Sequence, residues 1–233
     1  MTCSRVAVIV PTLNEASHIA DTLRVLHELP HPPVECIVAD GGSTDATRVH
    51  AKPYATVVQS ARKGRAQQMN AGARVATAPV LFFLHADTKI PAATWRVMHR
   101  VLAEPTVEAG TFRLRFDRST PLLRFYAMWT RLPWWGLAFG DRGLFVRRAV
   151  FDALQGFRQI PIFEDLDMAY RLVQREGFRF VQEPVVTSAR RFRATGPVWQ
   201  QVHNLSLWSR YMIGAPPEQL ADAYPYNAHV RDA

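Results

Sequence analysis

At 233 residues and 48% hydrophobic content the chain can bury a substantial core, which excludes disorder along its whole length. The 28 Lys and Arg against 20 Asp and Glu leave a net charge of +8, a balance that suits a polyanionic partner such as a nucleotide or a phospholipid surface. Cys3 and Cys36 form no zinc-binding pattern, no window reaches the roughly 20 apolar residues of a membrane-spanning helix, and no signal-peptide core opens the chain, so a reduced, cytoplasmic setting is expected.

Val6 to Val10 is a β-branched run stopped by Pro11, and Ala16 to Glu28 then carries Ile19, Leu23 and Leu26 at helical spacing. A strand, a loop and a helix are predicted, with Thr12, Asn14 and Glu15 in the loop and Asn14 or Ser17 as the cap. Cys36 to Ala39 is a second strand, ending in Asp40-Gly-Gly-Ser-Thr-Asp45. Val57-Val58 makes a minimal third strand, and the basic turn Arg62-Lys63-Gly64-Arg65 opens a helix through Val75. Val80 to Thr88 reads as a strand buried on both faces with an exposed tip, whose two-residue period puts His85 and Asp87 on one side. A helix follows Pro91, with Trp95, Met98, Val101 and Leu102 on one face. This alternation predicts a three-layer α/β architecture around a mostly parallel sheet, with ligands bound at the strand tips.

The second half changes style. Phe112, Leu114 and Phe116 alternate with Arg113, Arg115 and Asp117, the pattern of a strand with one wet face. A helix over Leu122 to Leu132, with Leu122, Phe125, Trp129 and Leu132 in line, leads into Pro133-Trp-Trp-Gly136. Gly143 to Val146 is a further strand, Phe163 to about Glu176 a helix, and Phe178 to Val181 and Val185 to Ser188 two short strands. A last helix over about Val198 to Ile213 precedes a polar tail expected to fray. Without repeat or linker, one domain over 1–233 is the economical reading.

Four constellations carry chemistry. Asp40 can accept two hydrogen bonds from a base or a ribose, with Gly41 allowing close backbone approach; the alternative is a plain turn capped by Asp40. Lys63, Gly64 and Arg65 at a helix start suit a diphosphate, and Asn70 is a candidate for the same cleft. Asp87 with His85 is a seat for a divalent cation, Mn2+ or Mg2+, because a cation that bridges a diphosphate needs only one or two protein carboxylates. In Glu164-Asp165-Leu-Asp167, Asp167 has Arg171 one turn on, whereas Asp165 has no cation at that spacing and is the freer general base. Trp134 and Trp135 are candidates to stack on a sugar or dip into a membrane interface, and Arg190 and Arg191 to reach phosphates.

Together, Val8-Ile-Val-Pro-Thr-Leu-Asn-Glu15, Val38-Ala-Asp-Gly-Gly-Ser-Thr-Asp45, Leu84-His-Ala-Asp87 and Phe163-Glu-Asp165 resemble family 2 glycosyltransferases of the GT-A fold. Gly64-Arg-Ala-Gln-Gln-Met-Asn-Ala-Gly72 and Gly140-Asp-Arg-Gly-Leu-Phe-Val146 resemble a small soluble bacterial subgroup associated with radical-SAM proteins. The resemblance implies inverting transfer of a sugar from a UDP- or GDP-type donor to a hydroxyl acceptor, lipid-linked acceptors included, with no nucleic acid involved. It assigns residues 1–105 to a nucleotide-binding half, 106–215 to an acceptor-binding half and 216–233 to a tail. Within the site it gives Pro11, Thr12, Asn14, Glu15 and Asp40 to the nucleoside, Asp87 to the metal, and Asp165, with Glu164 beside it, to the acceptor hydroxyl. Asp141 falls among the acceptor or diphosphate contacts, and a peripheral seat at the inner membrane is compatible with it.

Two other readings compete. A sugar-nucleotide pyrophosphorylase uses a similar sheet but carries a Gly-rich phosphate signature after the first strand, where this chain has Pro11-Thr-Leu-Asn-Glu15. A non-catalytic binder of nucleic acid or anionic membrane would use the +8 charge alone and have no need of Asp87 or Asp165.

Overall fold

A computed structural model describes residues 4–118, 120–190, 192 and 196–223. Its strands are β1 (Val6–Thr12), β2 (Glu35–Asp40), β3 (Thr56–Gln59), β4 (Val80–Phe83), β5 (Thr88–Lys89), β6 (Ala109–Phe116), β7 (Leu144–Arg147) and β8 (Phe178–Thr187). The helices are α1 (Ile19–His27), α2 (Thr47–Ala51), α3 (Arg65–Val75), α4 (Ala92–Leu102), α5 (Pro121–Trp129), α6 (Arg148–Ala153), α7 (Glu164–Val173), α8 (Pro197–Met212) and α9 (Pro217–Asp222). Among the described residues one eight-stranded sheet runs in the order β3-β2-β1-β4-β7-β6-β8-β5. β1 to β4 are mutually parallel, β7 is antiparallel to both its neighbours, and β5 is antiparallel to β8.

The alternation of side chains sorts the core into two layers. Val6, Val8 and Val10 of β1 and Val80 and Phe82 of β4 face α1 and α4, whose Ile19, Leu23, Trp95 and Met98 complete that layer. Ala7 and Ile9, with Leu81 and Phe83, face the other way, onto α3, α6 and α7 through Met69, Phe151 and Met168. Strands buried on both faces explain why these segments are continuously apolar, and why a one-residue slip would exchange the two layers.

Three expectations change. The fourth strand stops at Phe83 and not at Thr88, because its neighbour β7 begins at Leu144, opposite Phe83, and Gly143 (φ +67°) turns the chain away there. Leu84 to Asp87 is therefore a link, closed by the Thr88 N–H on the His85 carbonyl at 3.0 Å, that carries the chain from the middle of the sheet to β5 at its far edge. The two short strands expected after Phe178 are one strand, β8: Val181 pairs with Phe112 and Pro184 with Arg113, so Gln182 and Glu183 form an irregularity that accommodates a proline with no N–H to give. The expected frayed tail begins with α9, whose Leu220 is buried against Leu166 and Leu207.

Candidate active site

A cavity of about 600 Å3 opens beside the end of β4, and six of the predicted residues line it: Arg65, His85, Asp87, Trp134, Asp141 and Asp165. Asp165 stands in the first turn of α7 behind Phe163, whose left-handed backbone (φ +65°) costs on the order of 1–3 kcal/mol and turns the chain into the helix. Its carboxylate accepts the Gly140 N–H at 2.6 Å and the Leu166 N–H at 2.8 Å, and no ion pair to it is seen among the described residues. Asp167 is engaged, as its spacing predicted, by Arg171 and also by Arg158, each at 2.9 Å. Gly140 is where the site is tightest: a Cβ there would lie 2.8 Å from His85 Nε2 and 3.0 Å from Asp165 Oδ2. Gly140→Ala should therefore displace both groups and lower turnover about a hundredfold, the scale of an ångström-sized misplacement, with little change in melting temperature. Steady-state kinetics beside a thermal melt checks it.

Glu164 does not itself line the cavity. It is buried and ion-paired with Arg65, Nε to Oε1 at 2.7 Å, so it positions that guanidinium instead of sharing the base role expected of it. Burial pushes the Glu164 carboxyl up; Arg65 opposes this and the adjacent Asp165 adds to it, leaving it at about 7 against an ordinary 4.5. A raised folded-state value means that the native protein holds this proton more tightly than the unfolded chain, so the stability it contributes is complete on the acid side and lost as pH rises through 7. Melting temperatures of the wild type should fall by several degrees more than those of Glu164→Gln between pH 5 and pH 8; parallel curves would contradict this.

The residues at the β1 and β2 tips bind one another more than they face the cavity. Asp40 is fully buried and accepts the Gly42 and Ser43 N–H groups at 3.0 and 2.9 Å, the Ser43 hydroxyl, and the Thr12 hydroxyl at 3.3 Å. The plain-turn alternative describes it, and the expected base or ribose contact has no open carboxylate oxygen to use. Gly41 sits against Gln68, whose amide donates to the Thr12 and Ala39 carbonyls and so ties the two strand ends together. Pro11 pairs with Ala39 in the ladder, and Asn14 (φ +55°) accepts the Thr44 N–H at 2.9 Å, latching one loop to the other. Lys63 and Gly64 precede α3 without lining the cavity. Asn70 belongs to a different contact altogether, its amide clamped onto both backbone groups of Phe157 at 2.8 and 2.9 Å.

Arg190 bridges the two regions. It is ion-paired with Glu15 and, at 3.1 Å, with Asp87. Burial alone would lower its pKa, but these two carboxylates outweigh burial and raise it. Arg191 lies outside the described residues. His85 and Asp87 share the cavity although not one strand face: His85 lies against Gly140, as Asp165 does, and Asp87 reaches Arg190. No group of three or more His, Cys, Asp or Glu side chains is gathered as a ligand set among the described residues. Because the cavity's carboxylates Asp87, Asp141 and Asp165 are not gathered as a ligand set among the described residues, Asp87 alone would suit a hard divalent cation that arrives with a diphosphate and completes its shell from phosphate and water, not one held by the protein alone.

Sequence reasoning missed the outer wall and its anchor. Phe125, Trp129, Leu132, Phe139 and Trp208 line the cavity with Trp134, which packs edge-on to Trp208 at 5.6 Å; Trp135 instead packs on Tyr170 at 4.9 Å. The 130–142 segment that carries much of this wall is fastened by Arg142, 1% exposed, which donates to the carbonyls of Phe112, Leu137 (2.8 Å) and Thr130 (3.0 Å). Burial lowers its pKa to about 10, so it stays charged at neutral pH. An arginine inside the Gly140 to Val146 motif was the available signal.

The family model described as glycosyl transferase family 2 matches residues 7–160. No curated protein matches the chain by sequence. Among solved structures the chain is similar to the mannosyltransferase PcManGT from Pyrobaculum calidifontis in complex with GDP-Man and Mn2+, at 27% identity and TM-score 0.63 over 81% of this chain and 57% of that one. It is also similar in fold to TarS 1-349 of S. aureus (17% identity, TM-score 0.66, 79% of this chain and 60% of that one). A third likeness is to glucosyl-3-phosphoglycerate synthase of Mycobacterium tuberculosis (16% identity, TM-score 0.59, 78% and 70%). The chain thus spans under two thirds of the length of the first two. With the family model covering well over half of its length and the sheet matching these GT-A folds, the chain belongs to glycosyl transferase family 2.

Proposed function

We propose that the protein is an inverting glycosyltransferase that moves a hexosyl group from a UDP- or GDP-linked donor to an acceptor hydroxyl. The observation that carries this reading is that Asp165, held by backbone N–H groups and without an ion pair among the described residues, shares one cavity with Asp87 and Arg65. Asp165 takes the proton of the acceptor hydroxyl, the acceptor oxygen attacks the anomeric carbon, and the nucleoside diphosphate leaves from the opposite face. Arg65 and Arg190 offset the charge of the leaving group. Asp87 would hold a divalent cation together with the diphosphate, and that cation, when bound, supplies further charge neutralisation there. The GDP-Man and Mn2+ named for PcManGT support this donor class and cation.

A melting-temperature panel of UDP, GDP, dTDP and their sugars, with and without Mn2+ or Mg2+, tests the proposal. Ligand at a hundred times its Kd adds about 2.7 kcal/mol, an upward shift of roughly 5 to 10 °C. A panel in which no nucleoside diphosphate moves the melt would refute it.

A further inference from the structure

The outer part of the cavity is apolar, and its mouth is built from side chains that proteins normally hide. Phe125, Trp129, Leu132, Trp134 and Leu205 line the cavity and yet are 37% to 50% exposed. Leu205 also belongs to a stripe along α8, with Val198, Trp199 and Val202 at 61%, 71% and 52% exposure, spaced so that Val198, Val202 and Leu205 share one helix face. Helix α5 adds Met128 at 46%. Such a continuous exposed apolar surface at the entrance to a site marks an interaction surface.

Charge selects the occupant. From Arg118 to Trp134 the sequence has three arginines, Arg118, Arg124 and Arg131, all exposed, and no Asp or Glu; from Pro197 to Pro216 it has Arg210 and again no Asp or Glu. Aromatic and aliphatic side chains flanked by arginine, without carboxylates, complement an anionic lipid surface. The wall inside the mouth bears on the acceptor. A polyhydroxylated acceptor lying along Phe125, Trp129 and Leu132 would leave its hydroxyls unpaired, whereas a hydrocarbon chain would not. Gln200, Gln201 and Asn204 of α8 are polar groups lining that wall, suited to a head group.

We infer that the acceptor is a membrane-resident amphiphile, a hydroxyl on a long hydrocarbon chain, delivered to Asp165 through this mouth while α5 and α8 rest on an anionic bilayer. The inference rests on the sugar-transfer reading above. No helix among the described residues is long and apolar enough to cross a membrane, so the contact required is peripheral.

Tryptophan quenching in the full chain tests it, because Trp129, Trp134 and Trp208 line the cavity and Trp199 lies on the outer stripe. Phosphatidylglycerol vesicles with dibrominated acyl chains should quench the emission and phosphatidylcholine vesicles should not, and Trp199→Ser with Val202→Ser should weaken vesicle binding at least tenfold. In solution, bromododecanol should quench saturably, with at least tenfold weaker binding in the double variant Leu132→Asp, Leu205→Asp. No quenching by either probe, in a protein whose melt still rises with a nucleoside diphosphate, would overturn the lipid acceptor and leave sugar transfer standing. Quenching unaffected by either double variant would also overturn it, as would a concentration-dependent dimer that Trp199→Ser with Val202→Ser dissociates in a protein that ignores vesicles. A melt unmoved by every nucleoside diphosphate would remove the sugar-transfer reading, and the acceptor role with it.

Discussion

Asp165→Asn should lower turnover of the nucleotide sugar on the order of a thousandfold, the usual worth of a positioned general base, while the response of the melt to nucleotide stays as in the wild type. The amide oxygen can accept only one of the two N–H groups that hold this side chain, Gly140 or Leu166, and the NH2 then faces the other, so a drop of a few degrees in the melt accompanies the loss of basicity. The loss should fall on kcat, because the interaction removed is one realised as the acceptor proton is transferred. Asp167→Asn is the control. It disturbs a carboxylate already committed to Arg158 and Arg171, and should change stability more than chemistry. Equal turnover by wild type and Asp165→Asn would remove Asp165 from the mechanism.

Arg142→Met should be the most destabilising single change near the site, by about 4 kcal/mol, or roughly 8 to 16 °C in melting temperature. Methionine fills much of the volume but leaves the carbonyls of Phe112, Leu137 and Thr130 without their donor. Arg142→Lys, which keeps the charge on a single donor group, should recover only part of the loss. A melt within two degrees of the wild type would show that the 130–142 segment is fastened by something else.

What the sequence told of this molecule was local. The alternation of Phe112, Leu114 and Phe116 and the helical spacing of Trp95 and Met98 encode which face each element buries, and these faces are where the structure puts them. The Asp167–Arg171 pair was also legible, because both partners lie on one helix turn. Failures came where the decisive partner is remote. Spacing leaves Asp40 open between a ligand contact and a capped turn, and it cannot show that the carboxylate bonds to its own turn and to Thr12, 28 residues earlier. Arg190 is a phosphate-contact candidate by sequence, and nothing local announces its two carboxylates, which lie 175 and 103 residues away at Glu15 and Asp87. The end of β4 was misplaced because it depends on where β7 begins, about sixty residues further on. Fit to a pleated, half-buried surface is visible in composition, but the extent of a strand is decided by its neighbours.

The link from Leu84 to Asp87 is held at both ends and along its length. The Leu84 amide bonds to the Ile9 carbonyl, Thr88 continues into β5, and the Asp87 carbonyl takes the Ser188 N–H at 3.1 Å. Because β5 sits at the sheet edge opposite the parallel half, this short stretch closes an arc that runs through β7, β6 and β8. Freeing it requires breaking strands on both sides of that arc, so the amides of Leu84 and Thr88 should exchange with deuterium only as fast as the whole domain opens. The carboxylate at Asp87 thus inherits the rigidity of the sheet, although no strand contains it.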